Sequence, residues 1–140
     1  MIFPEWLPLY GDTTFRGDCH NESSEQIAFF SYIRKKYPES LGLIALHPKN
    51  EQKLKGKQFN RLNVDKAMGF CKSASDIIIP GNPSFVCELK RVDHTKSKWQ
   101  EGQIEYLEAA KNNGAFVCVA LGAKAALEAL ADWMIINEYK

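Results

Sequence analysis

What this chain lacks narrows its function before any motif is considered. No apolar run approaches the ~20 residues that a membrane-spanning helix needs, and Pro4, Glu5 and Pro8 interrupt the apolar residues of the N-terminus, so neither a span nor a signal peptide is read there. The expected compartment is the cytoplasm. No Gly-rich phosphate loop is present, which argues against an NTPase or a dinucleotide enzyme and implies no nucleotide cofactor. The four cysteines, Cys19, Cys71, Cys87 and Cys118, form no Cys-x-x-Cys pair, so a zinc site or a secreted disulfide framework is not expected. Internal repeats, low-complexity tracts and linkers are absent as well. A strong net charge is also missing, at +1 overall.

That near-neutrality conceals an uneven distribution. Between His47 and Lys72 seven basic residues face two acidic ones, a local charge of +5 that leaves −4 for the rest. Such segregation can build a phosphate-facing surface on a nearly neutral protein, and Lys49, Lys53, Lys55, Lys57 and Arg61 are its candidate nucleic-acid contacts. A solvated lysine-rich loop and helix would read the same way.

With 140 residues and 45% hydrophobic content, the chain suits one core. Residues 1–20 read as an irregular N-terminal arm, whose Phe3, Trp6, Leu7, Leu9 and Tyr10 can pack on the body or on a second subunit. Residues 21–140 read as the single domain. A helix is predicted from Glu22 to Tyr37, with Asn21 as N-cap and Pro38 beyond its end. Glu22, Gln26, Phe29 and Ile33 fall on one stripe of it, an acid first and core residues after. Leu41 to Leu46 reads as a covered strand, and His47 and Pro48 open a polar loop. Gly56 to Met68 reads as an amphipathic helix with Phe59, Leu62 and Ala67 inward. Strands follow from Asp76 to Ile79 and from Phe85 to Arg91. A helix from Lys98 to Asn113 comes next, then a strand from Ala115 to Leu121. The terminal helix carries Leu127, Leu130, Ala131, Met134 and Ile135 as its stripe. This order gives an α/β fold, a mixed central sheet flanked by helices, with a parallel crossover from Phe85 through Val119.

The chemistry concentrates where two of these strands meet. Side chains alternate along a strand, so Glu88 and Lys90 share one face while Phe85, Cys87 and Leu89 point the other way into a core. The Pro80-Gly81-Asn82-Pro83-Ser84 turn returns the chain antiparallel and brings Asp76 beside Glu88. Two carboxylates held close repel unless a proton or a cation lies between them, and oxygen ligands suit a hard ion such as Mg2+ or Mn2+. An ammonium two residues beyond the glutamate can orient an attacking water and stabilise charge developing on a phosphate. In the following helix Gln103 shares a face with Tyr106, Leu107 and Ala110. It therefore points at the sheet, where its amide can bond the lysine, the water or a phosphate; Gln100, three residues earlier, is the competing choice.

An acid in a first helix, then Ala74-Ser75-Asp76-Ile77-Ile78-Ile79, then Phe85-Val86-Cys87-Glu88-Leu89-Lys90, then Gln103 before Gly114 and Phe116-Val117-Cys118-Val119, resembles the PD-(D/E)XK nuclease superfamily. The closer likeness is to its VRR-NUC family of small nuclease domains, found alone in phages and bacteria, and it runs from about Asn21 to Ala131. Lys72-Ser73-Ala74-Ser75 stands where many members have Gly-x-Pro, and Val119 is followed by Ala120 and Leu121 rather than by two arginines. Neither departure removes a metal ligand. The resemblance implies a restriction-endonuclease-like fold, and metal held by Glu22, Asp76, Glu88 and Leu89, with Glu25 as the alternative helix acid. It implies Glu22, Asp76, Glu88, Lys90 and Gln103 as the catalytic set, and cleavage of branched, junction or flap DNA by a homodimer in a bacterial or phage-infected cell. His47 stays outside that set. A module that keeps the fold and binds nucleic acid with little or no cleavage is the alternative.

Overall fold

The computed structural model describes residues 1–48 and 63–137. Its elements are β1 (Leu9–Tyr10), α1 (Glu22–Lys36), α2 (Leu41–Ile44), β2 (Ile77–Ile79), β3 (Phe85–Lys90), a 3-10 turn (His94–Lys96), α3 (Gln103–Asn112), β4 (Phe116–Leu121) and α4 (Ala123–Ile136). Four strands form one mixed sheet in the order β1-β4-β3-β2. β2 and β3 pair antiparallel across the predicted turn, whereas β3 and β4 pair parallel through α3. The fold is thus the expected α/β arrangement, a mixed sheet flanked by helices.

Alternation along β3 and β4 divides the apolar residues into two layers. Phe85, Cys87, Leu89, Cys118 and Ala120 pack beneath α1, α2 and α4, while Val86, Val117 and Val119 meet Leu107 of α3 on the opposite face. Glu88 and Lys90 belong by period to that second face. Each is only 1% exposed. Cys87 and Cys118 are buried thiols, as their apolar surroundings suggest.

Several expectations give way. Residues 41–46 do not form a covered strand. Leu41–Ile44 make the single helical turn α2, with Leu41 buried and Leu43 73% exposed, and only Leu46 joins the sheet edge through a bridge to Ile78. A short apolar run does not by itself separate strand from helix, and the backbone bonds here turn back on α1, with the Gly42 N–H on the Tyr37 carbonyl at 2.8 Å. The helix predicted from Lys98 begins at Gln103, because Gly102 stands at φ +88°, a left-handed conformation that ends helical geometry. A Cβ at Gly102 would lie 2.9 Å from the Ser73 Cβ, so the position is also sterically closed to larger residues.

In α4 the buried stripe is Ala126, Ala129, Leu130 and Trp133, whereas Ala131 and Ile135 face outward. The predicted phase was off by part of a turn because small alanines, weak signals of burial, line the tight contact with the sheet. Residues 63–67 are helical, but Ala67, expected inward, is exposed along with Val64 and Met68. The rest of that predicted helix, including Phe59 and Leu62, lies outside the described residues. The N-terminal arm is not wholly irregular either. Leu9 and Tyr10 pair in parallel with Val119 and Ala120, and Leu7 is buried against the second layer, so the arm completes its own subunit's sheet. No helix among the described residues is long and apolar enough to cross a membrane.

Candidate active site

Three parts of the chain converge at the end of β3. The first is the β2–β3 hairpin, which sets Asp76 immediately before β2 and opposite Glu88. The Leu89 N–H donates to the Asp76 carboxylate at 2.9 Å, fixing that side chain on the edge of β3. On the other edge the Gly122 N–H donates to the Lys90 carbonyl at 2.9 Å. Successive carbonyls in a strand point to opposite edges, so the Leu89 carbonyl is directed to the side of Asp76. His47 reaches the same place from the chain after α2, its Nδ1 lying 2.8 Å from the Asp76 carbonyl.

The second part is the segment from Ser97 to Gln103, which wraps the Lys90 ammonium. Lys90 Nζ donates to the Lys98 carbonyl at 2.8 Å and to Gln103 Oε1 at 3.0 Å. Gln103 Nε2 donates in turn to Glu88 Oε1 at 2.9 Å, and the Gln100 N–H steadies Gln103 Oε1 at 2.9 Å. Between the two glutamines, Gln103 is the one whose side chain enters the site. Its single amide bridges acid and lysine, fixing both.

The third part is the N-terminus of α1. Asn21 caps the helix by accepting from the Ser24 N–H at 2.8 Å. Glu22 Oε1 then lies 3.9 Å from Lys90 Nζ, almost the same distance as Glu88 Oε1 at 3.8 Å. Glu25 has a different place. Its Oε2 accepts from the Ala123 N–H at 3.0 Å, at the start of α4, where Gly122 offers no side-chain cap. Gly122 is held small by that contact, since a Cβ there would overlap the Glu25 carboxylate. Of the two candidate helix acids, Glu22 is therefore the one beside Lys90.

What holds α1 in this position is a clasp the sequence did not suggest. Arg91 donates to the Cys19 carbonyl at 2.9 Å and to the His20 carbonyl at 3.0 Å, tying the residues just before α1 to the end of β3. Asp93 accepts from the Gly17 N–H at 3.0 Å, and Lys96 donates to the Gly17 carbonyl at 2.8 Å. The Thr95 hydroxyl and then the Gly17 N–H draw the Asp93 carboxyl down to a pKa of about 2. A basic residue directly after the Glu-x-Lys triplet was the one available sequence signal for Arg91.

The electrostatics of the centre are set by burial. Glu88 sits well above the usual carboxylate range, first because it is desolvated and then because the Asp76 charge adjoins it; Lys90 opposes the shift without reversing it. Its Oε2 is buried and meets no donor from the chain, with only the Asp76 carboxylate adjoining. No group of three or more His, Cys, Asp and Glu side chains among the described residues forms a ready-made ion cage. The donor chemistry nevertheless suits a hard cation, because Asp76, Glu88 and the Leu89 carbonyl present only oxygen and one of those oxygens is orphaned. Lys49, Lys53, Lys55, Lys57 and Arg61 lie outside the described residues.

No protein-family model matches the chain, and no curated protein matches it. Among solved structures the fold is similar to that of a VRR_NUC domain protein, with a TM-score of 0.65 over 88% of this chain and 93% of that one, at 17% sequence identity. The match spans most of both chains. At that identity it carries the fold, and the chemistry must be argued from the residues.

Proposed function

We propose that the protein is a Mg2+- or Mn2+-dependent endonuclease that hydrolyses phosphodiester bonds in DNA, with Glu22, Asp76, Glu88, Lys90 and Gln103 as its working residues. One observation carries this reading. A carboxylate and an ammonium are kept 1% exposed on the same face of one strand, with a second acid adjoining and one carboxylate oxygen unpartnered. A core built only for stability gains little from such a group, because buried charges are costly unless fully paired, whereas perturbed carboxylates belong to reactive centres.

Asp76, Glu88 and the Leu89 carbonyl would hold the metal, with Glu22 beside them, and the metal when bound supplies Lewis-acid activation of water and phosphate. The remaining work falls to the chain. Two N–H groups of Lys90 are spent on Lys98 and Gln103, which leaves the third for an attacking water or a phosphate oxygen. Gln103 keeps that geometry by bonding Lys90 and Glu88 at once. Glu22, 43% exposed in its side chain, stands at the solvent side and can receive a proton from the water. The basic segment from Lys49 to Arg61 would hold the phosphate backbone.

Branched, junction or flap DNA is the proposed substrate class, and a two-fold homodimer the simplest way to cut two strands with one site per subunit. The arm, the candidate contact between subunits, pairs with its own sheet through Leu9 and Tyr10 and stands at that sheet's edge. The decisive experiment is cleavage of duplex, single-stranded, flap and four-way junction DNA with Mg2+ or Mn2+, alongside Asp76→Asn and Glu88→Gln. Cutting by the parent and none by either variant is expected. Undiminished cutting by either variant would reject the site, and binding without any cutting would favour the non-catalytic module.

A further inference from the structure

Lys90 has a neighbour that the proposed mechanism does not use. The Trp99 ring lies across its ammonium, with Nζ 5.1 Å from the ring centroid. We propose that Trp99 is a positioning residue for Lys90, and that the N-terminal arm aims it. This rests on the nuclease reading given above.

The ammonium has three donors, and the carbonyl of Lys98 and the amide of Gln103 take two of them. Because the ammonium turns only about its Cε–Nζ bond, those two bonds already set the direction of the third N–H, and what they leave loose is the position of Nζ itself on its long stem. The indole closes one side with an apolar face whose quadrupole attracts the cation, which holds Nζ in place with its third N–H toward the side where Glu22 and Glu88 lie. That is the direction in which a water or phosphate oxygen would be met. A ring at this point also keeps water from solvating the back of the ammonium, which would weaken its field at the reacting centre.

The ring is itself fixed by residues far away in sequence. Trp99 Nε1–H donates to the Ile2 carbonyl at 2.8 Å, and Phe3 packs edge-on against the indole at 6.2 Å between centroids and 77° between planes. Phe3 in turn meets the His94 ring edge-on at 5.2 Å. Ile2 has little other business in the fold, its side chain being 88% exposed. What its backbone does is hold the indole. Ile2 and Phe3 thus reach the site through one ring.

Full-length Trp99→Leu, Trp99→Phe, Phe3→Ala and Lys90→Ala separate this role from simple packing. Each is checked for folding by circular dichroism and thermal melting, then assayed on the best-cleaved DNA with Mg2+ at saturating substrate. Trp99→Leu should lose about 10- to 30-fold in kcat, equivalent to about 1.4–2 kcal/mol, with KM within twofold. Trp99→Phe, which keeps an aromatic face, should recover most of that loss, and Phe3→Ala should fall between them. A readout independent of cleavage comes from the carbon and proton resonances of the Lys90 ε-methylene, identified by their disappearance in Lys90→Ala. They should be shifted upfield by the indole ring current in the parent and move toward ordinary lysine positions in Trp99→Leu. A folded Trp99→Leu with parental kcat, while Lys90→Ala is inactive, overturns the role of the indole. So does a Trp99→Phe variant as slow as Trp99→Leu, or an unshifted ε-methylene. Parental cleavage by Lys90→Ala would instead overturn the nuclease reading of the lysine, a separate failure.

Discussion

Replacing Glu88 by glutamine should make the metal-free protein more stable as pH rises, although it removes a proposed catalytic ligand. The Lys90 ammonium at 3.8 Å would, at an effective dielectric near 20, stabilise an ionised Glu88 by about 4 kcal/mol. Desolvation and the adjoining Asp76 charge outweigh that attraction, which is why the carboxyl titrates well above its ordinary value. The folded state therefore holds a proton that the unfolded state has already released. With more protons bound when folded, stability falls as pH rises from the ordinary carboxylate pKa towards the raised one. One such proton gives a slope of at most about 1.4 kcal/mol per pH unit, or roughly 3–5 °C in Tm for a domain of this size.

Glutamine is nearly the same shape as the protonated acid, can still accept from Gln103, and carries no titrating proton. Thermal melts in chelator should therefore superpose for parent and Glu88→Gln at pH 4–5 and separate as pH rises, with the variant the more stable. Divalent metal should reverse the order. A metal at about a hundred times its Kd adds roughly 2.7 kcal/mol to the parent at neutral pH or above, while the variant should gain much less. Parallel curves at every pH, or a variant destabilised at high pH in chelator, would refute the argument that Glu88 is kept in a site suited to a cation.

Other residues make separable predictions. Lys90→Ala should lower the single-turnover rate by about a hundredfold or more while DNA affinity in Ca2+ stays nearly unchanged; a large affinity loss at a normal rate would make it a binding residue. Glu25→Ala should destabilise the fold by about 1–2 kcal/mol in chemical denaturation, because the α4 N-terminus loses its acceptor, with no loss of rate in the fraction that remains folded. Asp93→Asn should flatten the acid limb of stability. The aspartate contributes above its ordinary pKa and loses that contribution as pH falls towards 2, so an unchanged limb would show that the clasp adds nothing. Removing Lys55, Lys57 and Arg61 together should reduce the salt slope of DNA binding by about one unit per lost phosphate contact, and an unchanged slope would return that segment to a solvated loop.

The hairpin was legible in the sequence because three independent signals coincide there: a period-2 pattern in Phe85 to Lys90, a Pro/Gly/Asn turn, and acids at matched positions. Gln103 followed from helical period, even though the helix was drawn five residues too long at its start. What failed was local sequence competing with tertiary demand. Leu41 to Leu46 has the composition of a strand but makes a helical turn that packs on α1, and only Leu46 meets the sheet. The small residues of α4 hid its buried face, since a helix that lies close to a sheet needs alanine where a hydrophobic pattern looks for leucine.

The clasp and the Trp99 side of the lysine socket left almost no trace in the sequence, and the reason is physical. Arg91 bonds carbonyls 71 and 72 residues away, and Trp99 bonds a carbonyl 97 residues away. A backbone carbonyl has no residue type, so no pattern of side chains announces that it will be an acceptor. Motif reasoning finds groups that act through their own chemistry, such as Asp76, Glu88 and Lys90. Groups that act by holding those three still are recognisable only once the chain has folded. That asymmetry bears on how the site is built: Asp76, Glu88 and Lys90 are set by the β2–β3 hairpin, while the N-terminal arm, the segment after β3 and the start of α1 are bonded to one another around them. A substitution at Trp99 or Phe3 should then alter rate before it alters stability, whereas one at Phe85, Trp133 or Leu107 should do the reverse.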